Sequence, residues 1–145
     1  MKLAKILLIG LVLAGFATMG IAQEAKPYKE GPVTEISYIK TKPGRFDDYM
    51  KFLDTTYKSL MEANKKAGLI IRYAVFSTQP RTPQDPDLIL SVTYPNMAAL
   101  DKIEEAEAIA AKVIGPDDVQ NKATIERGPM RDVLGGQLIR ELILK

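Results

Sequence analysis

The segment that most constrains this chain runs from Val33 to Thr78: a strand, a Lys42-Pro43-Gly44-Arg45-Phe46 turn, a long amphipathic helix, Gly68 and a second strand. Val33 to Lys40 mixes β-branched and aromatic residues with polar ones, as a half-buried pleated segment does. Pro43-Gly44 turns the chain, and Asp47 and Asp48 stand in the first helical turn, where the dipole favours acids. Phe46, Tyr49, Met50, Leu53, Tyr57, Leu60 and Met61 recur at helical spacing and predict one buried stripe. Gly68, after Lys65 and Lys66, is placed as a C-cap. Leu69 to Thr78 is apolar apart from Arg72 and its Ser77-Thr78 end, and reads as a strand.

A second strand–helix–strand unit follows. Gln79 to Pro86 holds three prolines and reads as a long hairpin connection; Asp87 to Tyr94 is the third strand. Pro95-Asn96 opens a second helix, with Met97, Leu100, Ile103 and Ala106 on its inner face, running to Ile114 and stopped by Gly115-Pro116. Asp117 or Asp118 can cap a further helical segment, interrupted at Gly128-Pro129. Gly135-Gly136 closes that region, and Gln137 to Leu144 is the last strand. The order β-α-β-β-α-β, with extra helix before the final strand, predicts an α+β, ferredoxin-like domain: a four-stranded antiparallel sheet with helices on one face.

Strand alternation then asks what the other face does. Leu88, Leu90, Val92 and Tyr94 share one face of the third strand and suit the helices, while Ile89, Ser91 and Thr93 lie opposite. In the second strand Ile70, Arg72, Ala74 and Phe76 oppose Leu69, Ile71, Tyr73 and Val75. Both faces are too apolar for open water, and a second sheet from a second subunit is the simplest cover.

In these features the chain resembles the dimeric α+β barrel superfamily, which contains antibiotic-biosynthesis-type monooxygenases, stress-responsive α/β barrel proteins and NIPSNAP-like proteins. The likeness rests on strand Val33–Lys40, on Lys42-Pro43-Gly44-Arg45-Phe46-Asp47-Asp48-Tyr49 opening the helix, on strand Leu69–Thr78, and on Leu88–Tyr94 running into Pro95-Asn96-Met97-Ala98-Ala99-Leu100. It covers roughly Val33 to Leu144. It implies a homodimer whose two sheets close a barrel around a pocket. Several members are haem or metal proteins or use histidine as a base. This chain has no histidine, so imidazole ligation and the commonest general base are closed to it. No cofactor is assigned.

Glu35, Ser37, Arg72, Ser91 and Thr93, with Phe76 beside them, are the candidate pocket residues, taken to point into the barrel. Arg72 can anchor an anionic or carbonyl-bearing ligand, with Glu35 as a buried acid–base group. Alternatively, Arg72 pairs with Glu35 or Glu141 and only satisfies an interface. The adjacent Arg140 and Glu141 face opposite ways, and the sequence leaves open which is inward. Three functions stand: binding of a small, largely apolar molecule; cofactor-independent oxygenation of a quinol or phenol with Glu35 as base; and a non-catalytic dimer with a filled barrel.

Other constellations are accounted for structurally. Asp47-Asp48 and Asp117-Asp118 fit helix starts better than a cation site. Tyr49 and Tyr57 can be placed along a ligand path, but on the apolar stripe of a long helix they read as core, and Glu104, Glu105 and Glu107 form a solvated helix face. No Gly-x-Ser-x-Gly elbow or phosphate-cradling glycine loop is present.

The first residues are read as a targeting segment. Lys2 and Lys5 precede an apolar or glycine run from Ile6 to Phe16, with Gly20 and Ala22 at −3 and −1 of a cut before Gln23. This is the pattern of a secretory signal peptide over residues 1–22, with a retained anchor as the alternative. The expected product is exported, periplasmic or extracellular, with a flexible leader over 23–32, one domain over 33–145 and no stable membrane span. There is no cysteine, which excludes lipid attachment and disulfides alike. Of 20 basic residues, Lys2 and Lys5 leave with the signal, and the remainder balances the 18 acidic ones. Without a basic cluster, nucleic acid is not an expected partner.

Overall fold

The computed structural model describes residues 25–145, and the expected signal peptide over 1–22 lies outside them. The elements are β1 (Tyr28–Thr41), α1 (Phe46–Phe52), a π-helical turn (Leu53–Tyr57), α2 (Lys58–Lys66), β2 (Arg72–Ser77) and β3 (Leu88–Tyr94). A 3-10 segment (Met97–Asp101), α3 (Ile103–Val113), α4 (Asp117–Arg127), a second 3-10 turn (Gly128–Met130) and β4 (Arg131–Leu144) complete the chain. The strands form one antiparallel sheet in the order β2-β3-β1-β4, the ferredoxin-like arrangement expected.

Four side chains make the centre of the core. Ile39 of β1, Leu88 of β3, Tyr49 of α1 and Leu53 of the π turn are each buried, with Met50, Phe52, Tyr57, Val75, Leu90 and Met130 against them. Fully burying a side chain of this size contributes about 1.5–3 kcal/mol. Phe46, expected on the buried stripe, is instead exposed at its start.

The first long helix is not regular. Thr55 Oγ1 donates to the Lys51 carbonyl at 2.8 Å, a side-chain bond that competes with the backbone ladder beside the widened π turn. The helix pair ends at Gly68, whose φ of 75° is a left-handed conformation that glycine adopts without steric cost. The second helix also breaks: Asn96 accepts from Ala99 N at 3.1 Å to start a 3-10 segment, and α3 begins only at Ile103. Ile103, expected on an inner face, is 61% exposed and Met97 is exposed as well. At the next boundary Pro116 occupies the cap position, and Asp117 and Asp118 follow in the first turn of α4 without a side-chain cap bond.

The first and last strands of the chain are both longer than the sequence implied. Tyr28 to Glu30, read as flexible leader, pair with Leu144 to Leu142, so part of that leader belongs to β1. Pro32 is tolerated because the β1–β4 register shifts between Glu30 and Val33. Gly135-Gly136, read as closing the helical region, lies inside β4 at a second register shift. A Cβ on Gly136 would stand 2.6 Å from the Ile36 carbonyl oxygen, so only glycine fits between these strands. β4 is an edge strand whose Leu134, Leu138, Ile139, Leu142 and Ile143 are all exposed. No helix among the described residues is long and apolar enough to cross a membrane.

Candidate functional site

Register divides the six candidate residues between the two faces of the sheet. Tyr73 of β2 donates to Glu62 of α2 at 2.7 Å, which marks its face as the helix side. Tyr73 pairs with Val92, and Val92 with Glu35; Ser37 pairs with Leu90. Glu35 and Ser37 therefore lie on the helix side. Arg72, Phe76, Ser91 and Thr93 lie on the other, with Thr34, Ile36, Tyr38, Gln137 and Ile139. The expected single pocket of all six does not form.

The uncovered face is a mixed surface. Phe76 is 48% and Ile139 46% exposed. Polar groups pair between them: Thr34 and Thr93 hydroxyls at 3.0 Å, and Tyr38 Oη donating to Gln137 Oε1 at 3.3 Å. Ser91 Oγ is buried without a partner. Arg72 is exposed, and among the described residues no carboxylate lies within ion-pair distance of it. Neither expected acid can reach it within one protomer. Glu35 is on the opposite face, and Glu141 is on the far edge strand, three spacings or about 14 Å away. Arg140 shares the helix side with its register partner Val33 and donates to Glu30 Oε2 at 2.6 Å, leaving Glu141 on the uncovered side.

On the helix side lies a groove of about 370 Å³ between α2 and α3. Its walls are Leu60 and Met61 of α2, Leu69 and Ile70 beyond it, Val92 of β3, Leu100, and Ile103, Ala106 and Ala110 of α3. α3 buries none of its residues fully, and between Ile103 at its start and α2 it lines the groove with the small Ala106 and Ala110. Tyr94 lines one side, and its hydroxyl donates to Glu35 Oε2 at 3.3 Å. Burial, then the adjacent Glu35 carboxylate, pushes the Tyr94 hydroxyl up to about 12. Glu35 itself is exposed rather than buried, because no helix covers β4 beside it. A second, shallower depression runs from Glu35 and Ser37 along Gly136 and Leu138 of β4.

A third, smaller cavity of about 190 Å³ abuts the groove at Leu60 and Ala110, between the π turn and α4. Tyr57 lines it with a buried hydroxyl that has no partner, and burial pushes that hydroxyl well above the ordinary tyrosine value. Arg127 lines it too, its guanidinium 4.9 Å from the Phe52 ring centre. The sequence reading assigned Tyr57 to the core and gave Arg127 no role. Tyr57 sits on a core stripe, and nothing local distinguishes Arg127 from the surface cations near it.

No family model and no curated protein matches the chain. Its fold is similar to that of protein SO0527 from Shewanella oneidensis, at 14% identity over 80% of this chain and 98% of that one, with a TM-score of 0.50. A dimeric ferredoxin-like protein from an uncultured marine organism is 11% identical over 81% of this chain and 90% of its own length, also at 0.50. HapK from Hahella chejuensis gives 12%, 75%, 91% and 0.49. Strand order and the two neighbours at 0.50 agree: this chain has the ferredoxin-like α+β fold.

Proposed function

We propose that this chain is an exported homodimeric α+β barrel protein that binds a small, largely apolar molecule in the groove between α2 and α3. The groove itself carries the reading. Its volume of about 370 Å³ falls within the range of small-molecule sites, roughly 300–1,000 Å³, and its lining is mainly apolar, with Asn64, Tyr94, Lys102 and Glu107 as its polar groups.

Homodimer formation draws support from the exposed Phe76 and Ile139 on the helix-free face, and from the dimeric state of the marine neighbour. Export rests on the charged, apolar, small-residue pattern of residues 1–22. N-terminal sequencing of the extracytoplasmic protein is expected to begin at Gln23, and a protein retained in the cytoplasm with Met1 intact overturns it.

The binding reading is tested with the neutral dye Nile red and with mass spectrometry of small molecules that co-purify. Ala106→Phe fills the groove from α3 and is expected to remove the dye's blue-shifted emission while the far-ultraviolet circular dichroism is unchanged. Equal emission from both proteins sinks the reading. A second reading, cofactor-independent oxygenation of a quinol or phenol, is favoured by the Tyr94–Glu35 contact at the groove's edge. Oxygen uptake with a quinol panel no greater than that of Glu35→Ala removes it.

A further inference from the structure

Two arginines near the C-terminal end of α4 are packed as if for an anion that the chain itself does not provide. Tyr49 and Phe52 stack with ring centres 5.9 Å apart. The Arg127 guanidinium lies over Phe52 at 4.9 Å and that of Arg131 over Tyr49 at 5.5 Å. Nε of each is buried and has no acceptor. Arg127 Nη2 donates to Thr124 Oγ1 at 3.0 Å. Among the described residues no carboxylate lies within ion-pair distance of either arginine.

This arrangement is costly as it stands. Arginines are seldom withdrawn from water without a partner, and stacking on a ring recovers only part of that cost. Burial, with the charge of Arg131 added to it, presses Arg127 below its ordinary value. A bound anion would answer both the repulsion and the idle donors, and a planar carboxylate matches the guanidinium fork.

The cavity on which Arg127 opens defines the rest of the ligand. Phe52, Leu60, Ala110 and Ile114 give it an apolar wall, and Gln120 and Thr124 join Arg127 at its polar side. At about 190 Å³ it equals the liquid volume of about six waters. The π turn also borders it through Thr56 and Tyr57, and such turns recur at functional sites. We infer that this cavity binds a small apolar carboxylic acid as its anion, the carboxylate paired with Arg127 and a second positive charge supplied by Arg131. The site is distinct from the α2–α3 groove and does not depend on it.

The test uses benzoate as probe, its neutral isostere benzamide and inorganic phosphate, followed by nuclear magnetic resonance titration of the full domain. Benzoate is expected to shift the amides of α4 and the π turn saturably, with benzamide and phosphate at least tenfold weaker. Arg127→Gln is expected to weaken benzoate at least tenfold. Because that variant can also disturb folding, Ala123→Leu fills the cavity while keeping both arginines and is expected to do the same. Ala106→Phe, in the groove, is expected to leave benzoate within twofold. Benzamide or phosphate binding as well as benzoate overturns the inference. So does benzoate affinity unchanged in either Arg127→Gln or Ala123→Leu.

Discussion

Replacing Phe76 by serine puts a number on the uncovered face. Phe76 points away from the helices, its register partner is Ile89, and 48% of it is exposed. A phenylalanine carries about 200 Å² of surface, so about 100 Å² remains for a partner sheet to cover. At about 25 cal/mol per Å² that is about 2.5 kcal/mol per copy. A two-fold interface buries the residue twice. The dimer is therefore expected to lose about 5 kcal/mol, a rise of three to four orders of magnitude in its dissociation constant. Sedimentation equilibrium from nanomolar to high micromolar protein reads this directly. Secondary structure by circular dichroism is expected to persist, since Phe76 is outside the core of Ile39, Tyr49, Leu53 and Leu88. A dissociation constant within tenfold of the unmodified protein's refutes the assignment of this face to the dimer. A monomeric unmodified protein at micromolar concentration refutes the dimer itself.

Further predictions concern the protomer. Leu53→Ala opens a cavity in the core and is expected to cost about 2–5 kcal/mol in urea melts; a loss below 1 contradicts the packing described. Gly136→Ala drives a methyl group onto the Ile36 carbonyl and is expected to cost about 1–3 kcal/mol, whereas Gly128→Ala, with nothing near its added Cβ and a helical φ of −50°, is expected to be neutral or slightly stabilising. The half-buried Tyr94 hydroxyl, raised from the ordinary 10.0 to about 12, keeps its proton in the folded state after the unfolded chain has lost it. Its contribution is whole below pH 10 and lost as pH rises from about 10 to 12, so chemical-denaturation stability is expected to fall across that interval and to fall less in Tyr94→Phe.

Much of the fold was legible because its signals are local. Helical spacing from Tyr49 to Met61, the Gly68 cap and the alternation in Leu88–Tyr94 each depend on neighbours a few residues away. The misplacement of Glu35 and Ser37 has an equally local cause. Val33 and Ile39 are apolar on one parity of β1, and Ile36 and Tyr38 on the other, so alternation alone does not choose a face. The Arg127 and Arg131 site was invisible for a different reason. Its aromatic floor comes from Tyr49 and Phe52, far away in the chain, and only packing of α4 and β4 against α1 brings them together.

By itself the sequence determined the order of strands and helices, the absence of imidazole and thiol chemistry, and the presence of more apolar sheet surface than two helices cover. Tertiary structure alone decided that Tyr28 to Glu30 are strand, because pairing with Leu144 to Leu142 supplies hydrogen bonds that a proline-broken segment cannot make locally. It decided, too, that the candidate residues occupy opposite faces. A one-residue change of register reverses every side chain, and register is fixed between strands rather than within one.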